Sequence, residues 1–201
     1  MLLYAALCNT PSAGQHFGIT TGMTFDRVSS ITLNNVKTRF DNKVGWVIGV
    51  WMEAPMGPFG IQVGVRYLDA GQLFEGLIED QPDAGDVRDN FDFSFVEVPF
   101  LIRYSLDTPV LSPYAFAGPL MRFPAALDVE IAEDVKTLSL AVELGAGVKL
   151  TLGKLSLFPE IAYVYGVTNF IGDSISVGPV TLDTADKQSL NSAMLRLAVG
   201  F

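Results

Sequence analysis

Eight isolated charges could do chemistry in this chain: Glu53, Glu97, Glu143 and Glu160, with Arg66, Arg103, Lys149 and Arg196. Each sits alone among small or apolar neighbours rather than in a charged run. Four acids set against four bases form a balanced set. Charge placed in an apolar setting persists only when it is paired and hydrogen-bonded. The set therefore reads first as an ion-paired network and second as a gated polar pathway. Catalysis has less to stand on. A Ser–His site needs a histidine at the external rim or on the outer wall; the sole histidine, His16, opens a predicted strand near the short-turn rim and reads as an interfacial or lumen-facing polar residue. Carboxylates crowd one stretch, Glu79, Asp80, Asp83, Asp86 and Asp89, without the ligand spacing of a calcium loop. That stretch reads as a solvated acidic segment, with divalent-cation bridging as the alternative. Gly145 and Gly147 fall inside a strand pattern, so they are not a phosphate loop; glycine there serves a crowded interior. No catalytic, metal or cofactor site is expected, and the chain is not expected to be an enzyme.

The elements that position the eight charges follow from alternation. From Leu138 to Gly166 the sequence reads LSLAVELGAGVKLTLGKLSLFPEIAYVYG. Leu138, Leu140, Val142, Leu144, Ala146, Val148, Leu150 and Leu152 share one face, and Glu143, Gly145, Gly147 and Lys149 share the other. This period of two, broken by Gly153-Lys154, predicts two long strands and a tight turn. The same logic predicts six more strands: His16–Phe25, Lys43–Glu53, Phe59–Leu68, Phe91–Leu106, Pro113–Phe123 and Leu190–Phe201. A change of phase near Phe95 predicts a bulge. In the Pro113–Phe123 strand the bulky residues Tyr114, Phe116 and Leu120 are expected to face outward with the other large residues.

Eight strands with connections alternating long and short describe an all-β, eight-stranded antiparallel up-and-down transmembrane β-barrel. Each strand reaches the nine or more residues of a tilted crossing. The chain is 49% hydrophobic and 17% charged, with 14 Phe and 6 Tyr. Its mean hydropathy is positive, yet no apolar run is long enough for a membrane helix. A soluble barrel with an apolar cup would carry Lys, Glu, Thr and Gln outside. Here the face opposite the large residues is Gly, Ala and lone charges, which suits a narrow lumen. Phe17, Phe25, Phe59, Tyr67, Tyr104, Tyr114, Tyr163, Tyr165 and Phe201 gather near strand ends, as interfacial girdles do.

The formal charge of −9 belongs to the long connections. Residues 26–41, 69–90, 123–137 and 167–189 together carry about −10 by residue count. Acidic connections exclude nucleic acid as a partner, since phosphate contact needs Lys/Arg patches. The single cysteine, Cys8, excludes a disulfide framework and a thiolate metal site. Residues 1–14 read as a truncated signal-peptide-like segment, and 15–201 as the barrel domain.

The chain resembles the PorT-like, porin-family outer-membrane barrels of Bacteroidota. The resemblance rests on Val96-Glu97-Val98-Pro99-Phe100, Arg103-Tyr104, Pro113-Tyr114-Ala115-Phe116-Ala117-Gly118-Pro119, Gly145-Ala146-Gly147 and Phe201. It implies a barrel in the outer membrane of a Gram-negative cell, with both termini periplasmic. It implies contact with outer-membrane lipid, insertion by the barrel assembly machinery, and an assembly signal ending at Phe201. A monomer is expected. The expected role is structural or adhesive, with a salt-bridged, closed lumen and acidic external loops. The alternatives are a narrow porin-like channel and an accessory component of protein secretion.

Overall fold

The computed structural model describes residues 16–33, 36–41, 44–72, 92–106, 108, 111–126, 137–153, 155–168, 174–177, 180–183 and 189–201. Cys8, the signal-like segment and the acidic cluster from Glu79 to Asp89 lie outside the described residues. The strands are β1 (His16–Leu33), β2 (Val36–Asp41), β3 (Gly45–Met56), β4 (Phe59–Gln72), β5 (Asp92–Ser105), β6 (Leu111–Ala126), β7 (Ser139–Leu152), β8 (Leu155–Gly166), β9 (Ser174–Val177), β10 (Val180–Asp183) and β11 (Leu190–Gly200).

Eight of these are the staves of a closed antiparallel barrel. Each pairs with its neighbour in the order β11–β8–β7–β6–β5–β4–β3–β1, and β1 returns to β11. The closing seam runs without interruption from Gly18↔Gly200 to Val28↔Leu190. Phe17 and Phe201 extend it by exchanging backbone hydrogen bonds of 3.3 and 3.0 Å. Closure leaves no sheet edge, which lets a β-structure satisfy its backbone in lipid.

Alternation decides what faces where. Ile19, Met23, Ile48, Val50, Ile102, Leu144, Ile161 and Leu195 are all exposed on the outer wall. Their sequence neighbours turn inward. An outer surface this apolar has no place in water but matches lipid. Aromatic rings ring both ends of that wall. Trp46 packs on Tyr67 at 5.4 Å between ring centroids near one end, and Phe59 on Tyr104 at 5.1 Å near the other.

The two ends differ. At one end β3–β4 and β7–β8 are joined by tight turns in which Gly57 (φ 65) and Gly153 (φ 66) take the left-handed conformation. His16 and Phe201 lie at this turn end. The long connections leave from the other, the loop end. The strands run further toward the loop end than alternation alone predicts. β1 continues to Leu33 and pairs with β2, where a single loop over 26–41 is the sequence expectation. The stretches VSSITL and VKTRFD are rich in β-branched residues about Asn34-Asn35, a combination that favours a hairpin. β9 and β10 form a separate small hairpin within the fourth connection. The predicted bulge is present: pairing shifts between Ser94 and Phe95, and both residues are buried.

One stave faces opposite to expectation. Tyr114, Phe116 and Leu120 of β6 are buried in the lumen, and Ala115, Ala117 and Pro119 face out. The reason lies on the neighbouring strand. Phe116 is paired with Gly145 and Tyr114 with Gly147. A Cβ on Gly145 would meet the Phe116 ring, and one on Gly147 would meet the Tyr114 phenol. The β7 glycines make space for two inward aromatics, so β6 presents its small face to the outside. Tyr114 is accordingly not part of a girdle.

Candidate functional site

The lumen holds the charges. Arg122 Nε lies 2.6 Å from Glu97 Oε1, and Arg66 Nε lies 2.6 Å from Glu97 Oε2. Arg66 then reaches across to Glu143 with both terminal nitrogens, at 2.5 and 3.2 Å. Glu143 also receives Arg196 at 2.7 Å. Arg196 continues to Glu160 at 2.9 Å, Glu160 to Arg103 at 3.6 Å, and Arg103 to Glu53 at 2.6 Å. The result is a single file of eight alternating charges, Arg122–Glu97–Arg66–Glu143–Arg196–Glu160–Arg103–Glu53. It descends from the loop end to the turn end.

Sheet geometry builds this file in two ways. Three contacts join residues directly opposite on adjacent strands: Arg66↔Glu97, Glu97↔Arg122 and Arg196↔Glu160. Opposite charges so placed reinforce the ladder. Of the other four, Arg66–Glu143 and Arg103–Glu160 cross the lumen from β4 to β7 and from β5 to β8, and Glu143–Arg196 and Arg103–Glu53 each reach past one intervening strand. Glu97 and Glu143 have no solvent exposure at all. Removing such ions from water costs several kcal/mol each, on the order of what a well-made pair returns. The file meets that condition by giving each of its six interior members two opposite partners. Arg122, at its upper end, donates to the Leu190 carbonyl at 2.8 Å and to Ser192 Oγ at 3.0 Å. Near it, the Thr24 hydroxyl donates to the buried Asp26 carboxylate.

The inward aromatics of β6 brace the lower half. Tyr114 donates its hydroxyl to Glu160 at 2.8 Å. The Arg103 guanidinium lies 4.2 Å from the Tyr114 ring centroid, 5.2 Å from Phe158 and 5.7 Å from Trp51. Arg196 lies 5.4 Å from the Phe116 ring. These contacts are cation–π in geometry and strengthen in a site without water. Gln62 accepts from Arg103 at 2.8 Å.

Of the eight sequence-predicted lumen residues, seven belong to the file. Lys149 stands apart, near the turn end, 6.0 Å from the Phe158 ring. Arg122, not among the eight expected, completes the file at the end opposite Lys149. The reversed face of β6 hides it, because it shares the parity of Tyr114 and Phe116. That same parity is the signal that could have found it. His16 lies at the turn-end mouth, not beside a serine at the loop end.

Little free space remains between these side chains. Around Trp51, Gln62, Arg66, Leu101, Glu160 and Arg196 the void is about 20 Å³, room for about one water molecule. A larger pocket, about 150 Å³, opens at the turn end.

A closed lipid-faced barrel with a charged lumen agrees with sequence comparison: residues 10–172 match the outer membrane protein beta-barrel domain family. The chain belongs to that family. It is thus an outer-membrane β-barrel protein with transmembrane strands. Solved structures agree in fold. Neisserial surface protein A (NspA) superposes with a TM-score of 0.53 at 12% identity, covering 92% of this chain and 95% of its own. A major outer membrane protein from Thermus thermophilus gives 0.50 at 16% identity, covering 94% and 98%. Identities this low speak for fold alone. No curated protein matches the chain by sequence.

Proposed function

We propose that this protein is a monomeric outer-membrane barrel whose lumen is closed and whose work, structural or adhesive, is done at the loop end. The observation that carries the reading is the eight-membered ion file with a void of only about 20 Å³ at its middle. A solute would have to break several buried ion pairs in succession to pass. The long connections, which hold the surplus of acidic residues, are left as the part of the chain free to engage something in water.

The turn end and both termini face the periplasm in this reading, as the rhythm of short turns and long loops in outer-membrane barrels supports. Phe201, whose backbone helps close the seam with Phe17 and whose ring points outward, serves as the residue recognised by the barrel assembly machinery. The likeness to PorT-like barrels is carried in part by Glu97, Arg103, Tyr114 and Phe116, all of them lumen residues. It therefore supports a shared interior design before it supports a shared secretion role.

The test is conductance. Purified barrel reconstituted in planar bilayers is expected to give no steady current above leak. Reproducible ohmic steps that disappear on omitting the protein would overturn the closed-lumen reading and establish a narrow channel.

A further inference from the structure

The turn-end pocket of about 150 Å³ has His16, Glu53, Ser105, Ser112, Tyr114 and Lys149 among its lining residues. Its polar groups fall into two sets. Some are already committed: Glu53 to Arg103, Tyr114 to Glu160, and Ser112 to the Thr108 backbone at 3.0 and 3.2 Å. The Lys149 ammonium, the His16 imidazole and the Ser105 hydroxyl form no side-chain hydrogen bond or ion pair among the described residues. These three donors line one cavity.

The charges in the pocket do not cancel. The ion file is neutral as a whole, with four arginines and four glutamates. Lys149 is a fifth cation outside it, and Glu53, the only carboxylate lining the pocket among the described residues, is paired with Arg103. Among the described residues the cavity thus carries an uncompensated positive charge and three free donors, beside an aromatic wall made by Phe158 and Tyr114. A lysine ammonium is a compact point charge with three donors. Small pockets bind through a few such polar groups on an otherwise apolar lining.

We infer that this pocket is a binding site for a small oxyanion, a carboxylate or phosphate group, held by Lys149 with His16 and Ser105. Water's share of liquid volume is about 30 Å³, so the cavity has room for such a group together with a short apolar portion against the rings.

His16 is the only histidine in the chain, so its ring gives a single, assignable NMR signal. The experiment follows that signal at fixed pH in nanodiscs of zwitterionic lipid, titrated with sodium benzoate and separately with inorganic phosphate. A third arm replaces part of the lipid with phosphatidylglycerol and adds no free anion. A saturable shift with either dissolved anion, weakened at least tenfold in Lys149→Gln and recovered in Lys149→Arg, is the expected result. A saturable, Lys149-dependent shift in the third arm alone would support the same site with a lipid headgroup as the anion source. No saturable shift in any arm overturns the inference, and so does a shift that Lys149→Gln leaves unchanged. Because Lys149 lies outside the ion file, folding of the variants is verified independently by heat-modifiable migration. Ser105→Ala supplies a second variant, expected to weaken the response severalfold.

Discussion

Replacing Glu143 by Gln removes the carboxylate that Arg66 and Arg196 share at the centre of the file. Glu143 is wholly buried, accepts both terminal nitrogens of Arg66, and pairs with Arg196 at 2.7 Å. Removing one partner of a buried ion pair costs about 3–5 kcal/mol. The expected value here lies at the lower end, about 3 kcal/mol, for two reasons. Gln keeps an oxygen that accepts a hydrogen bond, and each arginine retains a second carboxylate, Glu97 for Arg66 and Glu160 for Arg196. A loss of that size is roughly a hundredfold in the folding equilibrium. The assay is urea unfolding of the barrel in lipid vesicles, extrapolated linearly to zero denaturant. The two tryptophans, Trp46 on the outer wall and Trp51 in the lumen, report it by fluorescence. A double-mutant cycle isolates the pair. Glu143→Gln with Arg66→Gln should show a coupling of about 1.5–3 kcal/mol, whereas Glu143→Gln with Lys149→Gln should be additive within about 0.5 kcal/mol. A single-mutant loss below about 1 kcal/mol, or a coupling to Arg66 no larger than to Lys149, would refute the file as a set of specific contacts.

Other parts of the barrel answer to simpler perturbations. Gly145→Val drives a branched side chain into the Phe116 ring and the Ile161 carbonyl; it should cost at least about 1–3 kcal/mol in the same unfolding assay, and a neutral outcome would remove the explanation for the inward face of β6. On the outer wall, Ile161→Arg near the middle of β8 should cost about 2–4 kcal/mol, and Leu155→Arg at the turn end only about 0–1. Equal costs at the two depths would argue against a membrane-spanning wall. Phe201→Ala should lower the yield of folded, heat-modifiable barrel in outer membranes while leaving refolding in detergent intact. If the two yields fall together, Phe201 acts through stability and not through recognition during assembly.

The wall was legible in the sequence because its period is two and its two faces differ in kind. On β7 the outward face is Leu140, Val142, Leu144, Ala146, Val148 and Leu150, and the inward face is glycine, alanine, a small hydroxyl residue or a single charge. The orientation of such a strand can be read from side-chain type alone. On β6 both faces are apolar: Tyr114, Phe116 and Leu120 on one side, Ala115, Ala117 and Pro119 on the other. Hydrophobicity then has no sign to offer, and size misleads, because the space for Tyr114 and Phe116 is made by Gly145 and Gly147 on another strand. The outcome is decided between strands, not within one. The ion file shows the same limit. Isolated acids and bases on the small face announce a charged lumen. That Arg66 meets Glu143, 77 residues away in sequence, depends on how far around the barrel each strand sits. Lys149 has the same parity as Glu143 but lies closer to the turn, and depth along the axis separates it from the file.

Alternation has a blind spot that the lumen charges cover. Because side chains repeat every two residues, a strand that slips by two against its neighbour still presents oil to lipid and small residues to the interior. Nothing in the greasy wall would notice. Arg66, Glu97 and Arg122 sit abreast on three consecutive staves, and Glu160 sits abreast of Arg196. A slip of two residues would carry these partners about 6.6 Å apart along the strand, leaving bare ions where no water reaches. The charges thus act as a lock whose pins align in one arrangement only. A barrel wall assembled from near-identical slats gains from them a means of telling the correct stagger from its closest imitation.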